Sequence, residues 1–240
     1  MTEPKDMPTQ QDLPALARTP PTVRRVEIAC SLAFPVTAVA LFCRLWEPMK
    51  ASWALSGLAL VAGFVAADLV SGAGHWFFDT WFSPDTPIIG RSLVRTFREH
   101  HVDPDAICRH DFIETNGSNL LGGSFLMVCG LCTDTGSVLG AFAAAALFSS
   151  GVFVAITSQI HKWAHAAEVP PPVAWLQRTG IILSKDAHAL HHRAPFDTAY
   201  CITSGWLNAT LQRLDVFGLL ERAIAAVTGA RPRGGQSPEP

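Results

Sequence analysis

Nine histidines stand in this 240-residue chain, and all of them fall in tight groups. They are His75; His100, His101 and His110; His161 and His165; and His188, His191 and His192. The last group is spaced H-x-x-H-H within LSKDAHALHHRAPFDTAYCITSGWLN, residues 183–208. On a helix, positions i, i+3 and i+4 share one face, so these three imidazoles are expected to point at one place. His161 and His165, at i and i+4, repeat a spacing by which one helix face presents two metal ligands. The adjacent pair His100-His101 diverges by roughly 100° on a helix. Such a pair serves two metals, or one metal and the groups that orient its ligands.

Imidazole suits iron, zinc, copper and nickel. A zinc site closes with about four ligands, so nine imidazoles exceed one ion and fit a two-metal centre. Iron is the preferred pair, because non-haem iron with nitrogen ligands does oxygen chemistry. All nine histidines are candidate ligands, and no catalytic residue is sought beyond them. Asp68, Asp79, Asp103 and Asp111 are candidates for orienting the imidazoles, which when bound to metal usually donate to a carboxylate. Their plainer role is an ion pair with a neighbouring arginine. Asn116 is a candidate for contact through a water.

Ligands this far apart in the chain need a scaffold, and the composition says which kind. The chain is 49% apolar and only 16% charged, with a mean hydropathy of +0.24. Soluble domains carry ~25% charged residues, so the reading is an all-α integral membrane protein. A net charge of −2 gives no nucleic-acid-binding patch. Residues 1–22, rich in proline and polar side chains, read as a disordered tail. The membrane domain is set at 23–228, and 229–240 is read as a second disordered tail. The pair Cys129-x-x-Cys132 lies within apolar sequence and reads as packing rather than redox chemistry.

About four transmembrane helices are expected. Val26–Trp46 is long enough to cross a bilayer of ~30 Å, and a turn at Glu47-Pro48-Met49-Lys50 leads into a second span, Trp53–Phe78. That span carries Asp68, Ser71, His75 and Asp79 within one helical stripe, and polar groups in a membrane helix default to function. Pro104 is expected to end the His100–His101 helix near Val102. The third span, Leu120–Cys132, is short unless it begins near Ile113. The fourth, Val138–Ile160, ends in QIHKWAH. Residues 166–187 read as an amphipathic or re-entrant stretch, and Leu207–Ala226 as a last surface helix. With Arg24-Arg25 holding the N-terminus inside, four spans bring every histidine to the cytoplasmic face. The arginine-rich 79–118 connection agrees, and Arg44 and Lys50 run mildly against it. In a bacterium the membrane would be the inner one.

Four blocks in order, DLVSGAGHWFFDTW, FREHHVDPDAICRHDFIETNG, QIHKWAH and HHRAPFDTAYCITSGWLN, resemble the plasmanylethanolamine desaturase (Kua/CarF) family. That family sits among the membrane lipid desaturases with histidine boxes and includes plant plastid phosphatidylglycerol desaturases. The resemblance covers roughly residues 55–215. Many members read H-H-x-x-H-H in the last box, where this chain has Ala187 in the first position. The resemblance implies two iron ions, O2 and two external electrons, and a vinyl-ether double bond formed at C1–C2 of the alkyl chain of an ether phospholipid. The electrons would come from a donor such as cytochrome b5 or a ferredoxin, since no dinucleotide motif for a bound nicotinamide or flavin is visible. Two alternatives remain open: an acyl-lipid desaturase on the same scaffold, and a non-enzymatic metal-binding membrane regulator of an oxidative-stress response.

Overall fold

The computed structural model describes residues 19–193 and 195–232, without the side chain of Ser92, and the described residues are helical with no strand. The readings for residues 1–18 and 233–240 lie outside them. Four long helices form the body: α1 (Pro21–Ala51), α2 (Trp53–Trp81), α5 (Phe112–Cys132) and α6 (Val138–His165). Between α2 and α5 come a π-turn at Gly90–Val94 and two short helices, α3 (Arg95–Val102) and α4 (Ala106–Arg109). After α6 follow α7 (Pro171–Arg178), the single turn α8 (Lys185–His188), α9 (Asn208–Arg213) and α10 (Val216–Thr228).

Local chemistry places the boundaries. Helix α1 starts at Pro21, whose fixed φ suits the first helical position. Residues 21 and 22 therefore belong to the helix rather than to the tail. The expected turn at Glu47–Lys50 is also helical, because Pro48 is absorbed near the end of α1 and the chain reverses at Ser52. Ser52, Asp111, Ser137 and Ser184 cap α2, α5, α6 and α8 by accepting a first-turn N–H. Helix α3 stops at Val102, two residues before Pro104. The expected last helix is broken in two by Leu214 and Asp215, the latter in a left-handed conformation at φ 48°.

Three of the long helices, α1, α2 and α6, are long and apolar enough to cross a membrane. Helix α5 is not, although its 21 residues would span about 30 Å. Its first turns carry Glu114, Asn116, Ser118 and Asn119 in place of apolar side chains. Helix α6 is the centre of the bundle, with α2 and α5 packed along it and α1 against α5. Small residues permit the approach, as membrane helices require in the absence of a hydrophobic drive between them. A Cβ on Gly123 would lie 2.7 Å from the Gly151 carbonyl, so α5 and α6 cross backbone to backbone. Arg44 donates to the carbonyls of Leu131 and Thr133 and so caps the C-terminus of α5. This explains a cation at the end of the bundle away from the histidines.

Candidate metal centre

The lower half of α2 supplies the first wall of the site. His75 is fully buried, and its Nδ1 lies 3.2 Å from the Tyr200 carbonyl. Its Nε2 lies 3.3 Å from Oδ2 of Asp79, one turn on. Helix α3 brings His101, whose Nε2 is 3.0 Å from the same oxygen. His191 arrives from the far end of the chain with Nε2 at 3.5 Å from that oxygen and Nδ1 at 2.8 Å from the Thr198 carbonyl. With His100, these imidazoles form one group whose nitrogens all lie within 4.8 Å of one another.

A second group gathers at the end of α6. His161 and His165 stand one turn apart with Nε2 atoms separated by 3.1 Å. The Nε2 of His188 is 2.8 Å from each of them, and the Nε2 of His192 is 3.0 Å from that of His188. His100 joins His161, His188 and His192 in a second set of nitrogens within 4.8 Å of one another, so its ring stands between the two groups, and His165 lies against that set through His161 and His188. The H-x-x-H-H spacing therefore does not aim three rings at one place. Helix α8 ends at His188 and the chain continues in tight turns. His188 and His192 face the second group, and His191 swings to the first.

What sets those rings is an irregular segment, residues 198–208, threaded between α2 and α6. Ala199 takes a left-handed φ of 57°, which places the Thr198 and Tyr200 carbonyls on His191 and His75. Extended backbone among apolar helices must have its polar groups satisfied. Asp68, fully buried on α2, accepts the N–H groups of Ser204 (2.7 Å), Gly205 (2.9 Å) and Leu207 (3.2 Å). Ser71 accepts the Ile202 N–H at 3.0 Å, and Thr157 and Thr203 share a hydroxyl contact of 2.7 Å. Gly72 leaves room for Cys201.

Several candidates read from the sequence have other partners. Asp68 orients backbone, not an imidazole. Asp103 pairs with Arg109, and Asp111 pairs with Arg24 at 2.6 Å while capping α5. The Asn116 amide donates to the Phe112 carbonyl at 3.0 Å. His110 stands apart from both groups, with Nε2 3.5 Å from Glu99 and its carbonyl taking the Lys162 ammonium at 2.5 Å. Of the five proposed orienting residues, Asp79 alone touches the histidines. Glu99 was missed; it is 4% exposed and lies 3.3 Å from Arg95. The i, i+4 spacing of Arg95 and Glu99 was the available signal.

The donors fit a metal. A carbonyl only accepts, so Nδ1 of His75, His100 and His191 carries the proton toward Tyr200, Thr96 and Thr198. Their Nε2 atoms are then lone pairs, buried and without a hydrogen-bond donor. Burial, reinforced by the neighbouring imidazoles, holds His100 and His188 well below the usual histidine value. The same causes push His192 down to about 3. Neutral imidazoles with converging lone pairs are the form that binds a cation.

Residues 64–235 match the lipid desaturase domain. The chain belongs to the lipid desaturase family. It is 43% identical over 226 residues to a plasmanylethanolamine desaturase of Myxococcus xanthus, covering 93% of this chain and 80% of that one. A mouse plasmanylethanolamine desaturase 1 is 43% identical over 183 residues, covering 73% of this chain and 67% of the relative. A chloroplast protein of Arabidopsis thaliana named fatty acid desaturase 4-like 1 is 31% identical over 188 residues, covering 78% and 62%. No solved structure matches.

In this lipid desaturase a cavity of about 580 Å³ leads to the histidines, a size usual for a ligand site. Helix α6 forms its floor through Val154, Thr157 and His161. Helices α2 and α5 form its sides and barely touch each other. At the histidine end the lining is polar, with Glu99, His100 and His110, and at the other end it is apolar.

Proposed function

We propose that this lipid desaturase is a plasmanylethanolamine desaturase, introducing the vinyl-ether C1–C2 double bond of an ether phospholipid with O2 and two electrons. The observation that carries this reading is the cavity that runs from the bilayer-facing side chains to the histidine nitrogens. Val70, Leu121 and Phe125 line its apolar end and are 45, 53 and 66% exposed, so the cleft opens sideways between α2 and α5. A lipid entering there would lay its chain along α6 and bring the carbons next to its headgroup beneath His75, His100 and His161. The 43% identity to two proteins named for this activity supports the ether-lipid choice over the acyl-lipid one.

His75, His100, His101 and His191 would hold one iron, and His100, His161, His165, His188 and His192 the other. Bound there, the pair would supply the reductive activation of O2 needed to remove two hydrogens from an unactivated carbon–carbon bond. The chain's own part is to orient and to exclude water. Thr198 and Tyr200 hold two imidazoles by their carbonyls, Phe97 and Tyr200 pack on His75, and Phe196 packs on His101. Helix α5 is the fourth membrane helix in this reading, packed against α1 and α6. Both chain ends and the histidines then face the cytoplasm, where a cytochrome b5 or ferredoxin docks on the arginine-bearing surface.

The test is the lipid profile of a host that makes saturated ether phospholipids but no plasmalogen, together with the iron content of the purified protein. Plasmalogen accumulation with two irons per chain is the expected result. New double bonds confined to acyl chains would favour the reading suggested by the Arabidopsis relatives. An unchanged lipid profile would favour a metal-binding regulator.

A further inference from the structure

We propose that Asp79 is itself a metal ligand, an anionic oxygen in the group of His75, His101 and His191, which makes the two metal sites chemically unequal. The inference rests on the two-iron reading above. A carboxylate that merely orients a ligating imidazole accepts a proton from the ring nitrogen turned away from the metal. In this site backbone carbonyls fill that position for two of the three rings: Tyr200 behind His75 at 3.2 Å and Thr198 behind His191 at 2.8 Å.

Asp79 stands on the opposite side. Its Oδ2 lies 3.3 Å from Nε2 of His75, 3.0 Å from Nε2 of His101 and 3.5 Å from Nε2 of His191. For His75 and His191 those Nε2 atoms are lone pairs, because the proton is spent on the carbonyl behind. A buried carboxylate oxygen facing two imidazole lone pairs is repulsive unless a cation lies among them. Oδ1 of Asp79 and Nε2 of both His75 and His191 make no hydrogen bond among the described residues, and all three atoms are buried. One cation satisfies the set, and Oδ2 is then part of its coordination sphere. Both groups are drawn by imidazole nitrogens alone, and Asp79 lies against the rings of the first and not of the second. One site is thus charged and oxygen-bearing, and the other is neutral and all-nitrogen. Hard oxygen donors favour the higher oxidation state and imidazoles tolerate either, so the two irons should differ in spectrum.

The experiment loads the full chain in detergent with 57Fe and compares wild type, Asp79→Asn, Asp79→Glu and Asp68→Asn by iron content and Mössbauer spectroscopy. The wild type should give two iron doublets of equal area. In Asp79→Asn one doublet should shift or vanish while the other stays, with affinity at that site falling more than 100-fold. In Asp79→Glu both irons should remain and the same doublet should move, a readout that survives if the asparagine variant does not accumulate. Asp68→Asn should leave both doublets unchanged. Two unaltered doublets in the Asp79 variants at saturating iron would overturn the ligand assignment alone, the more so if affinity falls only by the 10–100-fold typical of a lost outer hydrogen bond. A wild-type chain without iron would overturn the centre itself, and this inference with it.

Discussion

Two aspartates on α2 make an instructive pair. Asp68 and Asp79 are eleven positions apart on one stripe, and both are buried, at 0% and 7% exposure. At the Asp68 end every neighbour within hydrogen-bonding distance is a donor, the N–H groups of residues 204, 205 and 207. A carboxylate there is satisfied by the protein alone. At the Asp79 end the neighbours are ring nitrogens, two of which have no proton to give. The protein offers Asp79 at most the His101 proton, and Oδ1 has no hydrogen-bond partner among the described residues. The same residue type, on the same face of the same helix, is a backbone anchor at one end and a candidate ligand at the other.

The largest expected effect lies at the Asp79 end. His191→Ala should abolish desaturation while the protein still accumulates, since the lost Thr198 contact is worth only ~1–3 kcal/mol and the membrane helices are untouched. Lipid analysis at matched protein level is the check, and near-normal product would remove the main support for ligation.

Asp68→Ala should have the opposite signature. It strands three N–H groups, one buried and two partly buried, at up to ~1–3 kcal/mol for each, not strictly additive. Folded yield and melting temperature in detergent should fall sharply, with activity per iron preserved in what folds. An Asp68→Ala protein of normal stability but without iron would break the comparison.

Ala187→His sharpens it from the other side. Ala187 is half-buried on α8, packed against the cluster around Ile160 and Leu183, and a histidine there would add a ninth imidazole beside the groups. Eight imidazoles already converge, so turnover should change by less than about tenfold, equivalent to ~1.4 kcal/mol.

The smallest effect is expected at Asp111, an aspartate outside the site altogether. Hydrogen bonding to Arg24 draws its carboxyl down to about 2, and it caps α5. Its folded value lies below the unfolded one near 3.8, so its contribution is full above that value and is lost as pH falls through about 2. The group is exposed, and screening keeps the ion-pair share below ~1 kcal/mol. Asp111→Ala should lower stability by about 1 kcal/mol at neutral pH, mostly through the lost cap, and flatten the acid limb of a melting-temperature profile between pH 4 and pH 2.

Much of this protein is legible in the sequence because it depends on neighbours along the chain. Apolar runs announced α1, α2 and α6, proline and serine placed their ends, and the grouping of the histidines announced clusters able to hold a metal. The clustering of His161 with His165 follows from helical spacing alone. Helix α5 was harder to read, because its polar first turns dilute the apolar signal that a membrane helix usually gives. Tertiary structure decided the rest. Which group each imidazole joins, why His110 joins neither, and why Asp68 and Asp79 part ways all depend on where residues 198–208 thread between α2 and α6. That segment has no periodicity to read. Its path is set by long-range hydrogen bonds to Asp68, Ser71 and His75, and a partner more than a hundred residues away leaves no trace in local spacing.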